Sequence, residues 1–128
     1  MSFLKNMFGG EKSEDLPSNA WFYLEQTPLE EISRRSFEKP IAIFKHSTRC
    51  SISRFAWNQL QRDYDIPAEK MELYFLDLLA HRSLSNQVAE DFGVRHQSPQ
   101  LIVIKNGKAV YHTSHEDISA EKLQRFVN

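Results

Sequence analysis

Apolar residues fall along this chain in short runs separated by polar, helix-patterned stretches. Trp21-Phe22-Tyr23-Leu24 is an aromatic run that predicts a short buried strand. Thr27-Pro28-Leu29-Glu30 then reads as a capping box with proline at the first helical position, opening a helix with Leu29, Ile32 and Phe37 facing inward and ending before Pro40. Ile41-Ala42-Ile43-Phe44 is continuous and apolar, as in a strand covered on both faces. Ile52, Phe55, Ala56 and Leu60 recur at helical spacing between Ser51 and Asp63. Met71 to Leu79 predicts the next strand, with Leu73, Phe75 and Leu76 in the core. Leu84, Val88, Ala89 and Phe92 mark a helix that stops at Gly93, a residue suited to a left-handed C-terminal position. Leu101-Ile102-Val103-Ile104 is another buried strand. It is followed by Asn106-Gly107, a hairpin signal, and by the returning run Ala109-Val110-Tyr111-His112. Ser119 or Asp117 is placed to cap a last helix carrying Leu123, Phe126 and Val127.

The order β-α-β-α-β-α-β-β-α implies a three-layer α/β/α domain with a mixed central sheet, the thioredoxin-like topology. It is assigned to residues 19–128, and residues 1–18 read as an N-terminal arm and linker. Within that arm Phe3, Leu4, Met7 and Phe8 share a helical face that is too short for a secretory h-region. No span of ~18 apolar residues occurs, so no membrane-spanning segment is expected, and a cytoplasmic protein is. Sixteen basic against seventeen acidic side chains, net −1, give no basic field for nucleic acid. Four glycines offer no phosphate-binding loop, and the five histidines show no metal-ligand spacing, so no bound cofactor or metal is expected.

The chain has one cysteine, Cys50, in Lys45-His46-Ser47-Thr48-Arg49-Cys50-Ser51-Ile52-Ser53. One cysteine cannot form an internal disulfide, and a lone thiol in a reducing compartment is by default buried and structural. Its place between an apolar strand and a helix favours a reactive thiol instead, because the first turn of a helix presents unpaired N–H groups and the positive end of the dipole. Three neighbours are expected to stabilise the thiolate. Arg49 adds a permanent charge, Ser51 occupies the first helical turn, and Ser53 lies one turn on with a hydroxyl or N–H to offer the sulfur. His46 reads either as a proton acceptor or ion-pair partner for the thiol, or as a solvated residue at a strand end; Thr48 belongs to the same loop. His96 precedes Ser98-Pro99, a pair at the start of a strand that this topology sets opposite the cysteine helix. Trp57 and Phe55 read as core packing.

At these residues the sequence resembles a known family. Phe44 to Ser53, Gly93 to Gln100, and Tyr111-His112-Thr113-Ser114-His115 are similar, in order, to motifs of the monothiol bacilliredoxins. These are thioredoxin-fold bacterial proteins of the bacillithiol system, and the resemblance covers about residues 19–128. One position departs from the pattern: the family usually has proline after the cysteine, where this chain has Ser51. The resemblance implies reduction of mixed disulfides between proteins and bacillithiol, a sugar–malate–cysteine thiol. Cys50 would then be the nucleophile, and Ser53 would stand where dithiol relatives keep a resolving cysteine. Together with the topology it implies a cis bond before Pro99, with Ser98 and Pro99 lining the substrate groove. The implied co-substrate is a low-molecular-weight thiol, bacillithiol or an equivalent, and the implied partners are S-thiolated client proteins. Lys45 and Arg95, with Arg49, are the cations expected to meet the small thiol's carboxylates.

Two rival functions fit a single-cysteine domain of this topology. A monothiol glutaredoxin-like iron–sulfur carrier would show a Cys-Gly-Phe-Ser loop, and this loop reads Cys50-Ser51-Ile52-Ser53. A non-catalytic binding or stress-response module would use the proline groove without needing a reactive thiol.

Overall fold

The computed structural model describes residues 21–127. The arm assigned to residues 1–18, with its apolar face, lies outside the described residues. A five-stranded mixed sheet runs in the order β1-β3-β2-β4-β5. Its strands are β1 (Phe22–Tyr23), β2 (Ile41–His46), β3 (Glu72–Asp77), β4 (Gln100–Lys105) and β5 (Lys108–Ser114). β1, β3 and β2 are parallel, whereas β4 is antiparallel to β2 and β5 antiparallel to β4.

Alternation along β2 divides the core. Ala42 and Phe44 pack with Ala56, Trp57 and Leu60 of α2 (Ser51–Asp63) and with Leu123 near the C-terminus. Ile41 and Ile43 face the other way, toward Ile32 of α1 (Leu29–Arg35) and Val88 of α3 (Arg82–Phe92). Helices on both faces bury all six residues of β2, which is why its apolar run is unbroken by polar positions until Lys45. The architecture is the three-layer thioredoxin-like α/β/α arrangement.

Local chemistry explains the boundaries. Gly93 ends α3 with φ 65°, and its N–H bonds Ala89 O. Asn106 and Gly107 both take positive φ (55° and 78°), as a two-residue hairpin turn requires. A Cβ on Gly107 would sit 3.2 Å from the Phe37 ring, so the turn also needs the space.

Several elements differ from the sequence expectation. β1 is a two-residue edge strand with both side chains exposed, and Leu24 is buried in a 3-10 turn (Leu24–Gln26) rather than in a strand. Proline restricts the residue before it, so Thr27 is extended (φ −133°, ψ 123°), Pro28 becomes the N-cap, and no side chain caps α1. Because α1 ends at Arg35, Phe37 leaves the helical face and is 65% exposed. α2 buries Ser53, Ala56, Trp57 and Leu60, and turns Ile52 and Phe55 outward at 56% and 68% exposure. The last helix is 3-10 (Glu121–Phe126) and starts after Ala120 without a side-chain cap from Asp117 or Ser119. Among the described residues no helix is long and apolar enough to cross a membrane.

Candidate active site

Cys50 is the N-cap of α2, half-buried, with extended backbone (φ −103°, ψ 122°). The loop from His46 to Cys50 is tied at several points. Cys50 N–H donates to Ser47 O (3.1 Å), and Cys50 O accepts Arg54 N–H (3.0 Å). The Arg54 guanidinium donates to Thr48 O (3.1 Å). Thr48, Arg49 and Ser51 are exposed around the thiol.

Ser53 corrects an expectation. It is fully buried, and its hydroxyl accepts Ser47 N–H at 3.0 Å and lies 2.8 Å from His46 Nδ1. The hydroxyl is therefore engaged with the end of β2 and the loop, not with the Cys50 sulfur. His46 is not a solvated strand end either. It is 5% exposed, its ring 5.3 Å from that of Phe75, and burial with the nearby Arg54 charge lowers its pKa while Asp77 opposes the shift. The imidazole is held toward its neutral form, one hydrogen bond from Ser53. Trp57 fills the space below, its ring 4.7 Å from Phe75 and 5.0 Å from Phe44, while Phe55 is not part of this core.

The second wall is the segment before β4. The Ser98–Pro99 peptide bond is cis. Pro99 O accepts His115 N–H (3.1 Å), and Ser98 Oγ is buried without a hydrogen-bond partner among the described residues. Gln100, 1% exposed, clamps the loop with both ends of its amide: Nε2 donates to Arg95 O (2.9 Å) and Oε1 accepts Gln97 N–H (3.4 Å). Gln100 also pairs with Lys45 across β2 and β4, which sets the proline loop beside the strand that leads to Cys50. A shallow, largely apolar pocket of about 390 Å³ opens here, lined by Ser51, Ile52, Phe55, His115 and Glu116.

The expected cations separate. Arg49 and Arg95 are exposed, and Arg49 has no ion-pair partner among the described residues. Lys45 is completely buried and cannot meet a ligand's carboxylate directly. Its Nζ donates to Ser85 O (3.0 Å) and stands 3.2 Å from His96 Nδ1. His96 is exposed on the surface of the proline loop.

Sequence reasoning missed Gln100, Ser85 and the outward Ile52–Phe55 pair. Gln100 carried a signal, a polar residue heading an apolar strand; Ser85 carried none.

The fold is shared with solved thioredoxins. A Nicotiana alata thioredoxin superposes with TM-score 0.66 at 16% identity, covering 91% of this chain and 100% of that one. A Malassezia sympodialis thioredoxin gives 0.63 at 19% identity, over 88% and 92%. A protein described as a candidate oxidoreductase with a thioredoxin fold gives 0.63 at 29% identity, covering 77% of this chain and 87% of its own. Fold, single cysteine and family together support a redox thiol function, because residues 24–123 match the family model described as monothiol bacilliredoxin BrxC. The chain belongs to the monothiol bacilliredoxin family.

Proposed function

We propose that the protein is a monothiol oxidoreductase that removes a low-molecular-weight thiol, bacillithiol or an equivalent, from S-thiolated client proteins in the cytoplasm. The observation that carries this reading is a half-buried cysteine at the N-cap of α2, with a cis-proline loop beside the strand that leads to it, in a chain with no second cysteine.

The Cys50 thiolate attacks the small-thiol sulfur of the mixed disulfide. The client–small thiol S–S bond breaks, its electron pair leaves on the client sulfur, and the client thiolate takes a proton from solvent. Cys50 then carries the small thiol as a new disulfide. No internal thiol can resolve it, because Ser53 stands one helical turn away with a buried hydroxyl. A second small thiolate attacks the carried sulfur, restores Cys50 and leaves as the small-thiol disulfide.

The chain supplies orientation. Arg49 is an exposed cation next to Cys50 in the chain, and Ser51 opens the first turn of α2 beside it. Ser98 and Pro99 form the second wall, against which an extended client segment is aligned. Ile52 and Phe55 give the client an apolar rest beside the thiol. Intact mass spectrometry after mixing with a bacillithiolated protein should show one small-thiol adduct, at Cys50, and none in Cys50→Ser. Absence of the adduct, or equal reduction by the serine variant, would overturn the proposal.

A further inference from the structure

Lys45 is a cation in a place where the fold buries apolar side chains. It is on the Ile41–Ile43 side of β2, fully enclosed, and burial alone accounts for its pKa lowered to about 8, with no carboxylate contributing. Its protein acceptors are Ser85 O and His96 Nδ1.

This arrangement assigns the protons on His96. An ammonium has three donors and no acceptor, so Nδ1 must accept. Ser85 Oγ, 3.4 Å from the same nitrogen, can act there as a donor as well. A neutral imidazole with an accepting Nδ1 carries its proton on Nε2, on the edge of the ring turned away from Lys45. Burial and the charges of Lys45 and Arg82 lower the His96 pKa, which keeps the ring neutral, and no acidic residue opposes the shift. Arg95 adds an exposed charge next in sequence. In a chain of net charge −1, this corner of the proline loop is locally positive.

The loop lies beside the end of β2, the strand that leads to the thiol. His96 is three residues before the cis-proline, whose carbonyl holds His115, and His115 shares a pocket with Ser51, the residue after Cys50. We propose that His96, polarised from behind by the buried Lys45 ammonium, is a specificity residue that donates its Nε2–H to a carboxylate of the small thiol carried into the site. This rests on the thiol-exchange reading above and names the side chain that reads the small thiol's charge. Lys45 is the positioning residue, setting the tautomer without touching the ligand.

The test uses three 2-pyridyl disulfides whose alkyl ends bear a carboxylate, a hydroxyl or an ammonium. Cys50 thiolate attacks the alkyl sulfur, the alkyl–pyridyl S–S bond breaks, and its electron pair leaves on the pyridyl sulfur, which is protonated to the absorbing thione. The carboxylate probe should react fastest and the ammonium probe slowest. The ratio between them should fall roughly three- to ten-fold, the net worth of one ordinary hydrogen bond at an exposed site, in His96→Phe and Lys45→Met. His96→Gln, which keeps an N–H donor, should retain it. Nitrogen-15 NMR should show His96 protonated at Nε2 near pH 7 in the wild type, with that preference lost in Lys45→Met. Equal rates for the three probes, an unchanged ratio in His96→Phe, or an Nδ1–H tautomer overturns the inference with the exchange chemistry intact. A Cys50 unreactive toward all three probes overturns the exchange reading itself, and this inference with it.

Discussion

Ser53 Oγ lies 2.8 Å from His46 Nδ1, so this buried hydroxyl serves as a link between α2 and the end of β2. The same oxygen accepts Ser47 N–H, so one hydroxyl holds both sides of the loop that presents Cys50. Ser53→Ala should leave the amide and the imidazole unpaired and cost about 1–3 kcal/mol. Chemical denaturation measures the loss, and hydrogen exchange at the Ser47 amide should quicken. An unchanged midpoint and unchanged exchange would show that the loop is held by its other bonds, those of Cys50 to Ser47 and Arg54 to Thr48.

Acid should loosen the same region. His46 and His96 both have pKa values below the ordinary 6.5 because burial disfavours their charged forms. Above about pH 6.5 both states of the protein leave these rings neutral and no stability is lost. Below it the unfolded chain takes up protons that the folded rings resist, so stability falls with falling pH, by up to about 1.4 kcal/mol per pH unit for the buried His46 and by less for the exposed, solvent-screened His96. Urea midpoints at pH 7 and pH 5 should show the fall, and the double variant His46→Gln with His96→Gln should flatten it. A wild-type midpoint that is level over this range would contradict the effect of His46 burial on its charged form.

The strands and the thiol were legible in the sequence for physical reasons, and so were the places where the reading went astray. Gly93 and Asn106-Gly107 announce themselves because they carry positive φ, and Cys50 because it joins an apolar strand to a helical pattern. The inner face of α2 was misjudged because Ile52 and Phe55 have core-like spacing. Periodicity does not distinguish apolar residues packed on a sheet from apolar residues left for a partner. Lys45 reads in the sequence as a cation for a ligand's carboxylate, because lysine is almost never fully buried. Its neighbours in space, Ser85 and His96, lie 40 and 51 residues away along the chain. The capping box failed at Thr27 because the following proline holds it extended.

The outward pair on α2 predicts a division between client and small-molecule reactions. Phe55 is 68% exposed beside the pocket that opens next to Cys50. Phe55→Asp should therefore change stability by no more than about 0.5 kcal/mol. It should lower kcat/KM for S-thiolated proteins several-fold while leaving attack on a small neutral disulfide near wild type. Equal losses on both substrates would place Phe55 in the chemistry of the thiol rather than in client docking.

Lys45 gives the sharpest stability test, because a retained buried cation should cost the fold something measurable. Its ammonium is enclosed without a carboxylate, and its two acceptors only partly replace water. Lys45→Met keeps the length of the side chain and removes the charge, and should raise stability at pH 7 by about 1–3 kcal/mol. The sign of the pH dependence follows from a pKa lowered from 10.5 to about 8. Below pH 8 the lysine is charged in both states and the folded wild type bears the full burden. Between pH 8 and 10.5 the folded protein gives up the proton first, so the wild type gains stability and the advantage of the methionine variant shrinks. Parallel urea titrations at pH 7 and pH 10 should show that convergence. A methionine variant less stable than wild type at pH 7 would mean that the bonds to Ser85 and His96 outweigh the desolvation of the ammonium. A fold that tolerates this cation for the sake of one oriented imidazole is expected to be more stable, and less selective for anionic thiols, without it.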